Sequence, residues 1–212
     1  MLLFPNVQSY LQWVESPDAR LFRPSFCPHC QGTQWHRHGR YYRDVCTDRE
    51  IHDIPVQRFL CPLCGHTLSL LPSFVGPRQS FTWDVQQQVV SSGEHGQTAA
   101  QAAAAVASPA GPVSQRTVVR WRRLWRDRLA GWESWFWGLV LRWFPSLSLL
   151  TSVSLLAALR HAWEQTLAWH PPVALFHGLV WLRHSSASSP VSASIPHKLS
   201  LAGAGGAAPQ SS

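Results

Sequence analysis

Along the chain the spacing of apolar positions changes twice. Between Cys27 and Pro72 they come in short runs: residues 34–43, residues 49–61 with Ile54, Val56 and Leu60 alternating, and residues 67–71. Short runs bracketed by turn residues predict β-strands. His38-Gly39 marks a turn within the first run and Cys64-Gly65 another between the last two. From Phe81 the spacing lengthens to three and four residues. That predicts one helix over residues 81–90, closed by Ser91-Ser92-Gly93, and an alanine-rich helix over residues 98–107, ended by Ser108-Pro109-Ala110-Gly111-Pro112. A third helix starts at the cap Ser114 and runs to about Leu129, with Val118, Trp121, Trp125 and Leu129 as its buried stripe. Residues 1–26 hold aromatics and Leu without a clear period.

Past Gly131 charge thins out: the acids are Glu133 and Glu164, the bases Arg142, Arg160, Arg183 and Lys198. Trp132, Trp135, Leu139 and Trp143 share one helical face, while Trp137, Val140 and Phe144 cover the rest. A helix apolar all round needs cover from a core, a partner or lipid. The uncharged stretch between Arg142 and Arg160 is shorter than a membrane span and contains Pro145, so a membrane is not the expected cover. Packing against the upstream helices or in a homodimer is expected, and a remnant of a lost or frame-shifted domain is the other reading. Residues 185–212, rich in Ser, Ala, Gly and Pro, are expected to form a disordered tail.

At 212 residues there is room for one ordinary domain or two small ones, and 45% apolar residues exclude wholesale disorder. Lys+Arg 18 against Asp+Glu 11 gives a formal charge of +7, and Lys198 is the one lysine. An arginine-rich basic chain implies an anionic partner, nucleic acid before an acidic membrane surface. Four of the five cysteines fall in C-x-x-C pairs, which reads as metal ligation in a reducing compartment. Met-Leu-Leu-Phe-Pro at the start lacks the basic region of a signal peptide, so a cytoplasmic protein is expected.

Cys27-Pro28-His29-Cys30 and Cys61-Pro62-Leu63-Cys64 are two copies of one device. A C-x-x-C turn aims both thiolates at one ion, and four thiolates close a tetrahedron without an open position. One structural Zn²⁺ held by Cys27, Cys30, Cys61 and Cys64 is therefore expected, with iron the lesser choice. A redox dithiol comes singly beside a βαβ pattern, which is missing here. Gly65 can supply a left-handed residue to the second turn, while Gln31-Gly32 suggests a looser first one. Cys46 reads as a small core residue, and His29, His36, His38, His52 and His66 as neighbours of the site.

The helix after Ser114 carries six arginines and one acid. An isolated amphipathic helix with such a face is usually just solvated. The small-residue helix upstream changes the weighting, because together they read as a helix-turn-helix with a lengthened turn. Gln115, Arg116 and Thr117 then lie in the first turn, nearest base edges, with Arg120, Arg122, Arg123 and Arg126 on phosphates.

The order of these parts, with Thr67-Leu68-Ser69-Leu70-Leu71-Pro72 and Thr117-Val118-Val119-Arg120-Trp121, resembles the N-terminal region of bacterial insertion-sequence transposases. It is similar in particular to transposase-associated zinc-ribbon proteins, over about residues 5–130. The resemblance implies binding to mobile-element DNA ends, with Cys27, Cys30, Cys61 and Cys64 as zinc ligands. Such transposases cut DNA with three carboxylates on two metal ions, whereas after Asp127 this chain has no Asp and only Glu133 and Glu164. It is therefore expected to bind double-stranded DNA without its own catalytic domain, and so not to be an enzyme, with a separate transposase catalytic subunit as a further candidate partner. Single-stranded RNA remains open, and the alternative is a zinc-ribbon protein-interaction module. The expected fold is α+β: a zinc ribbon with an N-terminal arm (1–75), a helix-turn-helix (76–130), an apolar Trp-rich helical extension (131–184) and the tail (185–212).

Overall fold

Two caps begin the chain. The Asn6 side chain accepts from the Ser9 N–H and starts α1 (Val7–Glu15), and Ser16 caps α2 (Pro17–Leu21). The computed structural model describes residues 3–106, 113–147, 153–166 and 173–187. It is α+β, with a three-stranded antiparallel sheet and, among the described residues, seven helices. The N-terminal stretch, which showed no period, thus contains a short helical pair, α1 and α2, that packs on the sheet. These helices are too brief for periodicity to emerge, and the signals were the caps themselves.

Strands β1 (His36–Cys46), β2 (Ile51–Leu60) and β3 (Thr67–Leu70) pair in that order. His38-Gly39 is not a turn but a bulge inside β1: Arg37 faces Phe59 and Arg40 faces Gln57, with Gly39 at φ +84°. The long pairing with β2 on both sides carries the strand through this dipeptide. Ile54, Pro55 and Val56 are all buried, so the middle of β2 is covered on both faces. Its simple alternation fails beyond Val56, where Phe59 is buried and Leu60 half-buried. Val7, Tyr10, Val45, Ile54, Val56, Phe74 and Val75 form the core between α1 and the sheet. The Tyr10 hydroxyl donates to the Pro55 carbonyl at 2.5 Å.

A second core contains helices alone. It joins α3 (Trp83–Ser92), α4 (Ala99–Ala105), α5 (Gln115–Trp143), α6 (Leu155–Gln165) and α7 (Leu175–Ala187). Helix α5 runs unbroken through Gly131 and Gly138 for 29 residues, where two separate helical stretches were expected. Val118, Trp121, Trp125 and Leu129 are buried as expected, and the same stripe continues to Phe136 and Val140. The face expected for the second stretch is displaced: Trp132, Trp135 and Leu139 are half-buried and Trp143 is exposed. Once the helix does not restart, its 3.6-residue period carries the stripe from Leu129 to Phe136.

Helices α6 and α7 supply the cover this stretch needs. Trp125 stacks on Phe176 with ring centroids 3.6 Å apart, and Gln87 Oε1 accepts from the Phe176 N–H at 2.9 Å. Gly178 allows α7 to meet α6, since a Cβ there would stand 2.1 Å from Trp163. The end of α5, α6 and α7 thereby share one core with α3, α4 and the start of α5. Helix α7 reaches Ala187, so its backbone takes in the first positions of the expected tail; residues 188–212 lie outside the described residues, as does 107–112 between α4 and α5. No helix among the described residues is long and apolar enough to cross a membrane.

The two cores meet at Ser73. Its fully buried hydroxyl accepts from the Phe4 N–H at 3.0 Å and lies 2.7 Å from His177 Nε2, while its carbonyl accepts from Trp83 Nε1 at 2.9 Å. Burial brings the His177 imidazole down from 6.5 to about 4. Below pH 6.5 the unfolded chain therefore binds a proton that the folded chain refuses, and stability falls by up to about 1.4 kcal/mol for each pH unit toward pH 4. Above pH 6.5 this contribution is constant. Urea unfolding of the metal-loaded chain at pH 7.5 and 5.5 should show His177→Gln less pH-sensitive than wild type by about 1 kcal/mol. Equal pH sensitivity would show that His177 takes up its proton as readily in the fold as in the unfolded chain.

Candidate metal centre and arginine helix

Cys27, Cys30, Cys61 and Cys64 come together with all four sulfurs within 4.8 Å of one another. Cys27 and Cys64 Sγ are 3.6 Å apart, and Cys30 and Cys61 Sγ 3.5 Å, well beyond a disulfide bond. The group can hold one metal ion. Cys46 is elsewhere, buried where the end of β1 bridges Phe81.

The two knuckles have the same backbone. The Gln31 N–H donates to the Cys27 carbonyl and the Cys27 N–H to the Gly32 carbonyl, at 2.9 and 2.7 Å. In the second, Gly65 N–H donates to Cys61 and Cys61 N–H to His66, both at 2.9 Å. Gln31 takes the left-handed position at φ 61°, matching Gly65 at φ 71°. The first turn is therefore as tight as the second, with a glutamine where glycine is cheaper. Packing between them is reciprocal. His29 stacks on His66 at 3.8 Å between ring centroids, and Leu63 fills the space over Gly32. Each knuckle's third residue thus covers the other's sixth. This pairing takes His29 and His66 away from the sulfurs.

Without a cation the sulfurs compete for protons. Burial pushes the Cys27 thiol up, but the N–H groups of Cys30 and His29 and the Cys64 sulfur outweigh it, bringing it down to about 7. At Cys64 the His66 N–H favours the thiolate, yet burial and the other three sulfurs override it and push the group up to about 12. A divalent cation removes this conflict by stabilising all the thiolates together.

The seven residues expected to contact DNA divide into two groups. The Ser114 hydroxyl accepts from the Thr117 N–H at 3.2 Å and caps α5. Gln115, Arg116, Arg120, Arg123 and Arg126 are exposed and Thr117 is half-buried. Asp127 lies 4.0 Å from Arg123 and 3.7 Å from Arg126. Arg122 instead turns inward over Gly93, its Nη2 donating to Ser92 Oγ at 3.2 Å. Arg128, the sixth arginine of the helix, is also turned inward: its guanidinium lies 5.1 Å from the Trp125 ring centroid and 5.9 Å from those of Trp83 and Trp132. Helix α5 packs on both α3 and α4.

Sequence reasoning missed a second basic cluster. Arg20 lies in the last turn of the unexpected α2 and Arg23 just past it, and Arg37 and Arg40 flank the unexpected bulge, so nothing in linear spacing joined them.

The purified chain should carry one metal ion, read by native mass spectrometry. Cys27→Ser or Cys61→Ser should lose it together with the sheet's circular dichroism, while Cys46→Ala keeps it. Metal retention in either knuckle variant would exclude the four-sulfur site. Gln31→Gly should raise the stability of the loaded chain to urea by about 0.5–1 kcal/mol, and Gly65→Ala lower it by about 1 kcal/mol.

Residues 27–121 match the model of a domain of unknown function (DUF6431), a stretch from the first cysteine ligand to the buried Trp121 of α5. No curated protein and no solved structure matches the chain.

Proposed function

We propose that this chain is a DNA-binding protein: a zinc ribbon braces the fold, and a helix-turn-helix formed by α4 and α5 meets the duplex. The observation that carries this reading is the exposed row Arg116, Arg120, Arg123 and Arg126 on a helix whose other side is fixed in a core. Gln115 and Arg116 in the first turn have the chemistry to read adenine and guanine edges. The resemblance to insertion-sequence transposases supports mobile-element ends as the target, with strand cutting left to a separate subunit.

Zinc is the preferred metal. A Zn–S bond of about 2.3 Å in tetrahedral geometry separates sulfurs by about 3.8 Å, close to the 3.5 and 3.6 Å of the two cross-knuckle pairs. With four thiolate ligands the ion is structural, and its binding energy of about 10–16 kcal/mol in comparable peptides becomes folding energy. The protein-interaction alternative draws on the tryptophans after residue 131. Trp132, Trp135 and Trp137 pack against the chain's own core, which leaves fewer of them for a partner.

Selection from a random duplex pool with the zinc-loaded full chain should enrich a motif, and an inverted repeat in it would indicate a dimer. If Arg120, Arg123 and Arg126 each meet a phosphate, log K should fall with log salt at a slope of about −3. Arg120→Glu with Arg123→Glu should abolish duplex retention while zinc content is unchanged. A slope near zero, or full retention by the double variant, overturns the assignment to α5.

A further inference from the structure

A cleft of about 430 Å³ opens between α1, α2 and the sheet, away from the metal cluster and α5. Its wall includes Tyr10, Trp13, Phe22 and Phe59, and its rim Arg20, Arg37 and Arg40. The size lies within the range of small-ligand sites. The β1 bulge builds the rim. In a regular strand Arg37 and Arg40, three apart, would point to opposite faces of the sheet. One extra residue pairs them with Phe59 and Gln57, two apart on β2, so both guanidinium groups stand on one face. The Gln57 side-chain amide donates to the Gly39 carbonyl at 2.6 Å and holds the bulge in place.

These arginines have little to balance them. Burial and the neighbouring Arg23, Arg40 and Arg20 all lower the affinity of Arg37 for its proton, and Arg37 also donates to the Ala19 carbonyl. Glu15 lines the cleft too, yet among the described residues no ion pair links any of the four arginines to a carboxylate. Trp13 and Phe22 are half-buried, leaving ring surface open to the cleft. Uncompensated guanidinium groups in the same cleft as aromatic rings suit a ligand that joins an anion to a flat ring.

We propose that this cleft binds a nucleoside phosphate, as an unpaired nucleotide of a nucleic-acid strand, with its phosphate among Arg20, Arg37 and Arg40 and its base on Trp13 and Phe22. The site goes beyond the duplex reading of α5 and uses none of its residues. A free nucleotide has the same chemistry and is the other source.

The test is fluorescence anisotropy with the metal-loaded full chain and a labelled oligothymidylate of about 12 nucleotides. Arg20→Gln with Arg40→Gln should weaken strand binding roughly ten-fold, and Phe22→Leu about five-fold, with metal content and duplex binding preserved. The exposed arginine pair is chosen because Arg37 also serves the fold. An oligonucleotide carrying 5-iodouracil should crosslink to the peptide containing Trp13 and Phe22. Displacement by adenosine monophosphate at about millimolar concentration assigns the site to a free nucleotide, and its failure to compete assigns it to the strand. Absence of binding by both probes, strand affinity unchanged in both variants, or crosslinks confined to α5 would overturn the proposal. The Arg120→Glu, Arg123→Glu chain in the same assay separates the two readings: duplex loss with intact strand binding belongs to α5 alone.

Discussion

A single buried hydroxyl holds the two halves of this protein in register. Ser73 lies between the core under the sheet and the core of the helices, and it contacts Phe4, Trp83 and His177. A buried hydroxyl without partners costs a few kcal/mol, so its neighbours must arrive in fixed positions. Phe4 brings the N-terminal helices, Trp83 the start of α3, and His177 the C-terminal helix. The neutral imidazole follows from the same burial, which penalises a charged ring there.

Above that junction the four-sulfur cluster and the helical core solve different problems. The sheet has few buried residues for its length, and its outer strand β1 is exposed over most of its residues. Two knuckles with identical hydrogen bonds anchor the start of the sheet and its second hairpin to one point, compensating for a thin core. The helices need no such staple. Trp125 alone touches Trp83, Trp132, Phe176 and the Gln86 side chain, so α3, α5 and α7 are tied through one indole.

Much of this was legible in the sequence where the signal is local. The cysteine spacing identified all four members of the cluster, and the period from Val118 to Leu129 identified the buried face of α5. The tightness of the first knuckle was not legible, because Gln31 gives no hint of a left-handed backbone. Nor was the continuity of α5 through Gly131: glycine weakens a helix by about 1 kcal/mol, and tertiary cover from α6 and α7 overrides that. The basic cleft depends on a bulge and on a helix of five residues, and neither leaves a period to read.

The composition itself has a structural reason. Twelve tryptophans and a single lysine among eighteen basic residues describe one design, because guanidinium groups pack on indoles where ammonium groups hold their water. Arg128 and Arg183 both lie over the Trp132 ring, at 5.9 Å each, joining α5 to α7 through flat surfaces. Arg122 covers Gly93 in the same inward manner. Lysine at position 122 or 128 would bring a strongly hydrated charge into partly buried space. Net charge therefore overstates the surface available to an anion: part of the arginine holds the helices together, and most of what remains exposed lies on α5 and around the cleft.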